Sequence, residues 1–128
     1  MYEFIERIGK GCFGTVWKAQ STRTKKFVAI KTAPVGTGSQ IRNEAEHYEK
    51  LKQMQTNSKC EFISTLIRFS IHDDQYVLIM PLYGRNLETI VNRRRKIGSV
   101  SLSTDEIKSI GKQMVMALHH IHSHGLVH

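Results

Sequence analysis

Residues 9–19 read "GKGCFGTVWKA", and the run after the third glycine decides the fold. Gly9, Gly11 and Gly14 match G-x-G-x-x-G, a pattern that two architectures use. In a dinucleotide fold the glycines must open a helix, whose positive end holds the pyrophosphate. Thr15-Val16-Trp17-Lys18-Ala19 instead alternates and is rich in β-forming residues, so here the glycines join two strands. Such a hairpin lets backbone N–H groups come close to phosphates, because no side chains stand between them. A glycine hairpin without a ligand would read the same, and only residues elsewhere in the chain separate the two.

Seventeen positions past Gly14, Lys31 ends the stretch "VAIK", Val28–Lys31, inside a strand. Strand alternation sets Ala29 and Lys31 on one face and Val28 and Ile30 on the other. A small residue and a lysine therefore share a surface with Val16 of the preceding strand. Flat apolar rings fit over Ala and Val, and a lysine suits phosphate. A lysine on an otherwise apolar strand is costly unless its charge is paired, so a carboxylate is expected nearby.

The segment Ser39 to Gln55 supplies one, because Ile41, Ala45, Tyr48 and Leu51 recur at helical spacing after the breakers Pro34, Gly36 and Gly38. Glu44 and Glu46 are both candidates. Tyr48 lies four positions after Glu44, which puts Glu44 beside the apolar stripe that faces the sheet, whereas Lys50 lies four after Glu46 and marks the wet side. Glu44 is thus assigned to Lys31 and Glu46 to solvent.

Outward from this centre, strands are predicted at about Glu3 to Gly9, Phe13 to Ala19, Lys26 to Thr32, Phe62 to Phe69 and Gln75 to Met80. Ser21-Thr22-Arg23-Thr24 and His72-Asp73-Asp74 read as hairpin loops. After Pro81 the pattern turns helical: a short helix from about Leu87 to Arg94, a loop around Gly98, then a longer helix. Ser103-Thr104-Asp105-Glu106 opens the longer helix with a capping-box signature, and Ile107, Ile110, Met114, Ala117, Leu118 and Ile121 form its apolar stripe.

The sequence has 128 residues, 40% of them hydrophobic and 23% charged, as in a folded globular protein. No apolar run approaches the roughly 20 residues of a membrane helix, and the first residues lack a secretory layout, so no membrane partner and a cytoplasmic or nuclear address are expected. Cys12 and Cys60 fit no metal spacing and read as free thiols. The net charge of +8 favours anionic partners, with much of the excess in Lys25-Lys26 and Arg93-Arg94-Arg95-Lys96, both read as solvated basic surface. No nucleic-acid module or aromatic platform accompanies the arginines, so nucleic acid is not expected as a partner. His120 and His124 have the spacing of some zinc helices, but no glutamate or third ligand completes that motif and no metal site is assigned.

Taken in order, the glycine loop, strand lysine, helix glutamate and the segment after strand five resemble a eukaryotic protein kinase, over the whole length. "FVAIK", "EAEHYEKL", "MPLYGRNLETI" and "IHSHGLVH" look most like the casein-kinase-one group, and "GRNL" at Gly84 to Leu87 leans toward its tau-tubulin kinase branch. The resemblance implies an α+β fold: an N-lobe over residues 1–80 made of a five-stranded antiparallel sheet plus the C helix, a hinge over 81–86, and the first helices of the helical lobe over 87–128.

It also implies roles. Ile8 and Val16 would roof the adenine with Ala29 beside them, and Gly9, Lys10, Gly11, Cys12, Phe13 and Gly14 would cover the phosphates. Lys31 would hold the α- and β-phosphates of ATP, and Glu44 would hold Lys31. Met80 would be the gatekeeper and Pro81-Leu82-Tyr83 the hinge. Many kinases place an acidic residue where Pro81 stands, but only its carbonyl is needed by adenine, and proline lacks only the N–H. The Tyr83 N–H would donate.

His128 would be the first letter of the catalytic loop, His-Arg-Asp. The Asp, the Asn and the D-F-G Asp that orient the substrate and hold Mg2+ come later in the family, so ligands for Mg2+ are expected beyond residue 128. The expectation is a fragment or truncated form of a serine/threonine protein kinase, which in full length would phosphorylate protein substrates and which alone is inactive with weak nucleotide affinity. The alternative is a catalytically dead, nucleotide- or partner-binding regulatory segment of the pseudokinase kind.

Overall fold

In the computed structural model the glycines do join two strands. β1 (Tyr2–Gly11) and β2 (Gly14–Ser21) run antiparallel, with Gly11 opposite Gly14 at the tip and Tyr2 opposite Ser21 at the far end. The structure describes residues 1–12, 14–37, 39–54, 60–99 and 101–127. The register of β1 shifts between Phe4 and Glu6 and again between Arg7 and Gly9, so Ile5 and Ile8 are the extra residues of two bulges. Bulges bend a strand and re-aim its side chains. Ile8 and Ile5 are accordingly both about half exposed, at 48%.

β3 (Phe27–Pro34) pairs with β2, and β5 (Gln75–Pro81) pairs with β3 on one side and with β4 (Arg68–His72) on the other, giving an all-antiparallel sheet of order β1-β2-β3-β5-β4. The β4–β5 turn is two residues long, and Asp73 and Asp74 both have positive φ, 48° and 55°. That is the left-handed pair a tight hairpin with right-twisted strands requires, and short polar side chains tolerate it.

α1 (Ser39–Met54) lies between β3 and β4 in the chain and packs on one face of the sheet. Its predicted stripe is the buried one: Ile41 and Ala45 join Ala33, Leu66, Tyr76 and Leu78 in the larger core cluster, with Tyr48 partly buried against it. The opposite face has its own smaller cluster of Ala19, Val28, Ile30 and Ile79. Alternation along β3 accounts for both clusters, since Val28 and Ile30 point one way and Ala33 the other.

One predicted strand is corrected. Phe62 to Phe69 was expected to be extended, but the strand begins only at Arg68, and residues 60–67 form turns and irregular chain. Phe62-Ile63-Ser64-Thr65-Leu66 does not alternate cleanly, and its most apolar contribution is Leu66, which fills the core beneath α1 without joining a ladder. Two smaller differences are end effects: the short helix extends to Lys96 where Arg94 was expected, and α1 is described to Met54, with Gln55 outside the described residues.

The chain divides into two compact units, one of residues 1–59 with 64–82, the other of residues 60–63 with 83–128. The second holds α2 (Leu87–Lys96) and α3 (Thr104–Ser123). The side chain of Asn86 caps α2 by accepting from the Thr89 N–H, and Ser103 and Glu106 form the reciprocal capping box that the sequence announced for α3. Gly98 and Gly125, with φ of 70° and 73°, end the two helices in the left-handed conformation that glycine adopts without strain.

Arg94 ties the two helices together through both terminal nitrogens, each 2.7 Å from a Glu106 oxygen. These hydrogen bonds, followed by that of the Ser103 N–H, pull the Glu106 carboxyl from its ordinary 4.5 down to about 2. Because the folded value is the lower one, the stabilisation is complete above about pH 4.5 and is lost as pH falls toward 2. Urea titrations of the chain and its Glu106→Gln variant should therefore show a stability difference that is flat above pH 5 and closes on acidification; a difference independent of pH contradicts the pairing.

Candidate functional site

Residues directly opposite each other on neighbouring strands project from the same face of a sheet. Val16 stands opposite Lys31, which in turn stands opposite Leu78, while Ala29 lies between Lys18 and Met80. All of these belong to the face on which α1 packs. Ala29 is buried, Val16 and Met80 are half-buried, and Met80 packs against the larger core cluster. Lys31 thus rises between apolar neighbours on the middle strand of the sheet.

Its partner comes from the helix. Glu44 sits on α1 beside Ala45, between the buried Ile41 and the half-buried Tyr48, and its Oε2 accepts from Lys31 Nζ at 2.6 Å. The two side chains are 17% and 32% exposed, an intermediate setting between a screened surface pair and a buried one. Glu46, on the other side of the helix, is more than half exposed and is held by Arg42 at 3.1 Å, as the four-residue spacing allows. The competition between the two carboxylates is settled by which one the helix turns toward the sheet.

Ahead of this pair stands the glycine hairpin. A side chain at Gly9 would come no nearer than 3.7 Å to Val16, and one at Gly11 would meet nothing within 4 Å. The hairpin backbone is therefore bare along that stretch. Gly14 differs: its φ is 121°, and a Cβ there would overlap the Thr32 carbonyl oxygen and press on Ile41 of α1. The third glycine is needed by the packing of the hairpin tip against β3 and α1, a role that the G-x-G-x-x-G pattern does not disclose.

Of the other expected residues, Lys10 and Cys12 are exposed on the hairpin, Ile8 sits at a bulge and is about half exposed, and Pro81 and Leu82 are half-buried at the end of β5. Tyr83 is 61% exposed and belongs to the second unit. Phe13 and His128 lie outside the described residues. Lys18, to which its own strand assigns no role, shares the face of Ala29, lies 5.3 Å from the Phe27 ring centre and is paired with Glu6 at 3.2 Å. Its position follows from the β2–β3 register, which a single strand's pattern does not reveal.

Among the described residues no three His, Cys, Asp or Glu side chains converge as a metal site. The His120 and His124 rings lie 4.4 Å apart near the end of α3, and His124 Nδ1 is 2.7 Å from the His120 carbonyl oxygen. Burial, then the neighbouring His124 and His119, lower the pKa of His120. That setting disfavours a second charge beside it.

What these residues can do together is hold a polyanion. An ammonium group offers three donors, and Glu44 takes one of them, so Lys31 is fixed in place with donors to spare for phosphate oxygens. A lysine so fixed on a five-stranded antiparallel sheet, with a glycine hairpin in front and a helix carboxylate behind, is the arrangement of a protein kinase N-lobe. The chain belongs to the protein kinase domain family, which it matches over residues 2–128.

Relatives agree on the class. A probable serine/threonine-protein kinase of Dictyostelium discoideum is 28% identical over 125 residues, covering 97% of this chain and 23% of that protein. Serine/threonine-protein kinase PLK4 of Xenopus laevis is 31% identical over 133 residues, covering 99% of this chain and 13% of its own length. The probable serine/threonine-protein kinase FMP48 of Saccharomyces cerevisiae is 28% identical over 134 residues, and 36% of it is matched. The chain thus spans well under half the length of each of these relatives. The sheet and its helices are those of a kinase N-lobe and the start of the helical lobe.

Proposed function

We propose that this chain is the ATP-binding part of a serine/threonine protein kinase, which transfers the γ-phosphate of ATP to protein hydroxyls. The observation that carries the reading is the 2.6 Å Lys31–Glu44 pair on the same sheet face as Val16 and Ala29. In this reading Lys31 holds the α- and β-phosphates, and Glu44 keeps its ammonium from folding away. Gly9 to Gly14 lay their backbone over the phosphates, and Val16, Ala29 and Ile8 enclose the base, with Met80 behind it and the Pro81 carbonyl accepting from its amino group.

ATP brings the phosphoryl group. The residues of this chain bind and orient it. Mg2+ in this family is held by an Asn and an Asp that follow the catalytic-loop His, so the described residues are not assigned to it. For the same reason the 128-residue chain by itself is expected to transfer no phosphate above its Lys31→Ala variant. Placement in the casein-kinase-one group rests on the sequence motifs alone; the relatives support the serine/threonine kinase class.

An adenosine derivative with a lysine-reactive sulfonyl fluoride in place of its phosphates tests the reading. Peptide mapping should find the label on Lys31, and ATP should protect it. Labelling spread over Lys10, Lys18 and Lys25, or unaffected by ATP, would sink the proposal.

A further inference from the structure

Among the described residues, no helix of the first unit lies on the sheet face away from the Lys31–Glu44 pair, since α1 packs on the other side. Ile30 and Ile79, 1% and 3% exposed, form the floor of a groove of about 390 Å³ that also takes in Val77. Phe4 stands at its side, 52% exposed, and Arg68, opposite Ile79 in the ladder, projects from the same face. Its volume falls within the range of about 300–1,000 Å³ typical of ligand pockets, room for a few side chains.

The charge at the rim selects among occupants. Arg68 and His72 line the groove, and no carboxylate does. His72 lies 3.5 Å from Asp73, whereas Arg68 is exposed and has no carboxylate partner among the described residues. A filled groove therefore needs apolar side chains over Ile30 and Ile79 and an anion for Arg68. An anionic membrane is drawn by clusters of several Lys and Arg, and this rim offers one unpaired arginine. A protein segment that alternates apolar and acidic residues meets both demands, with the arginine setting its register.

We propose that this groove docks a short acidic and apolar segment of a partner protein, on the side of the sheet opposite the nucleotide-binding residues. The apolar floor supplies the area, and Arg68 supplies the selection for carboxylate. Binding here leaves Lys31 and Glu44 uncovered, so the groove and the nucleotide site are separate on the same lobe.

Fluorescence anisotropy with the chain tests this, using a labelled synthetic peptide that alternates Phe or Leu with Asp or Glu, and a second peptide with Ser at every apolar position. Saturable binding of the first is expected, weakened at least about tenfold by Arg68→Glu and by Phe4→Asp and likewise on changing to the second peptide. Arg93→Glu on α2 makes the same charge change outside the groove and should leave binding intact. Both groove positions are exposed, and circular dichroism checks that the variants stay folded. No binding, equal loss with Arg93→Glu, or equal binding of the serine peptide would overturn the proposal, the last two by showing diffuse attraction to a chain of net charge +8. Co-sedimentation with phosphatidylserine vesicles that depends on Arg68 and is not competed by the acidic peptide would likewise overturn it, in favour of a lipid surface.

Discussion

Replacing Lys31 with alanine should lower the affinity of the chain for ATP by roughly ten- to a hundredfold. A hydrogen bond to a charged group contributes about 1.5–3 kcal/mol, and each 1.4 kcal/mol is a factor of ten in affinity. Lys31 is the cation that the fold holds in place, through Glu44 at 2.6 Å, on the face that carries Val16 and Ala29. Titration calorimetry with ATP measures the loss. Glu44→Gln is the informative companion, because it keeps the side-chain shape and removes the charge that fixes the lysine. With Lys31 still present, the effect on affinity should be smaller than that of Lys31→Ala, while stability falls by about 1–3 kcal/mol as a partly buried ammonium loses its partner. ATP affinity unchanged in Lys31→Ala would contradict the assignment of the site.

The second large effect is on folding. Valine at Gly14 should destabilise the first unit by about 3–5 kcal/mol, from a strained backbone conformation and overpacking at one position. The φ of 121° is rarely open to an L side chain, and the new Cβ would overlap the Thr32 carbonyl and lie 3.1 Å from Ile41 Cδ1 and 3.2 Å from Ala33 Cβ. Relief requires moving either the β2–β3 ladder or the start of α1, and the latter carries Glu44. Alanine at Gly11, where a Cβ meets nothing within 4 Å, should cost less than about 0.5 kcal/mol. Urea unfolding of the two variants separates a packing requirement from a general intolerance of side chains in the hairpin. Equal losses at both positions would contradict it.

The parts of this architecture that the sequence disclosed are those set by short-range periodicity. Alternation in "VAIK" is a property of one strand and put Ala29 and Lys31 on one face by itself, whereas Val16 joins them through the β2–β3 register. The choice of Glu44 over Glu46 needed only the helix period and the apolar stripe. Ser103 and Glu106 announced α3 because a capping box is local chemistry.

What stayed hidden depends on contacts between distant segments. Nothing in "FIERIGKG" marks the two register shifts at Ile5 and Ile8. Leu66 looked like part of a strand because apolar residues fill cores and ladders alike. The Arg94–Glu106 link spans two helices and a loop, and no spacing rule pairs them. The groove over Ile30 and Ile79 exists only once β4 has been added beyond β5, so it has no signature in any one strand.

The central claim is that the Lys31–Glu44 face and its glycine hairpin form the nucleotide site. Backbone amide chemical shifts of the chain, recorded while ATP is titrated in, test it most directly. Saturable shifts are expected at Gly9, Gly11, Val16, Ala29 and Lys31, with Arg93 to Lys96 unmoved. Shifts confined to Arg93 to Lys96, with the hairpin and Lys31 silent, would show that ATP meets only a basic surface and would contradict the account.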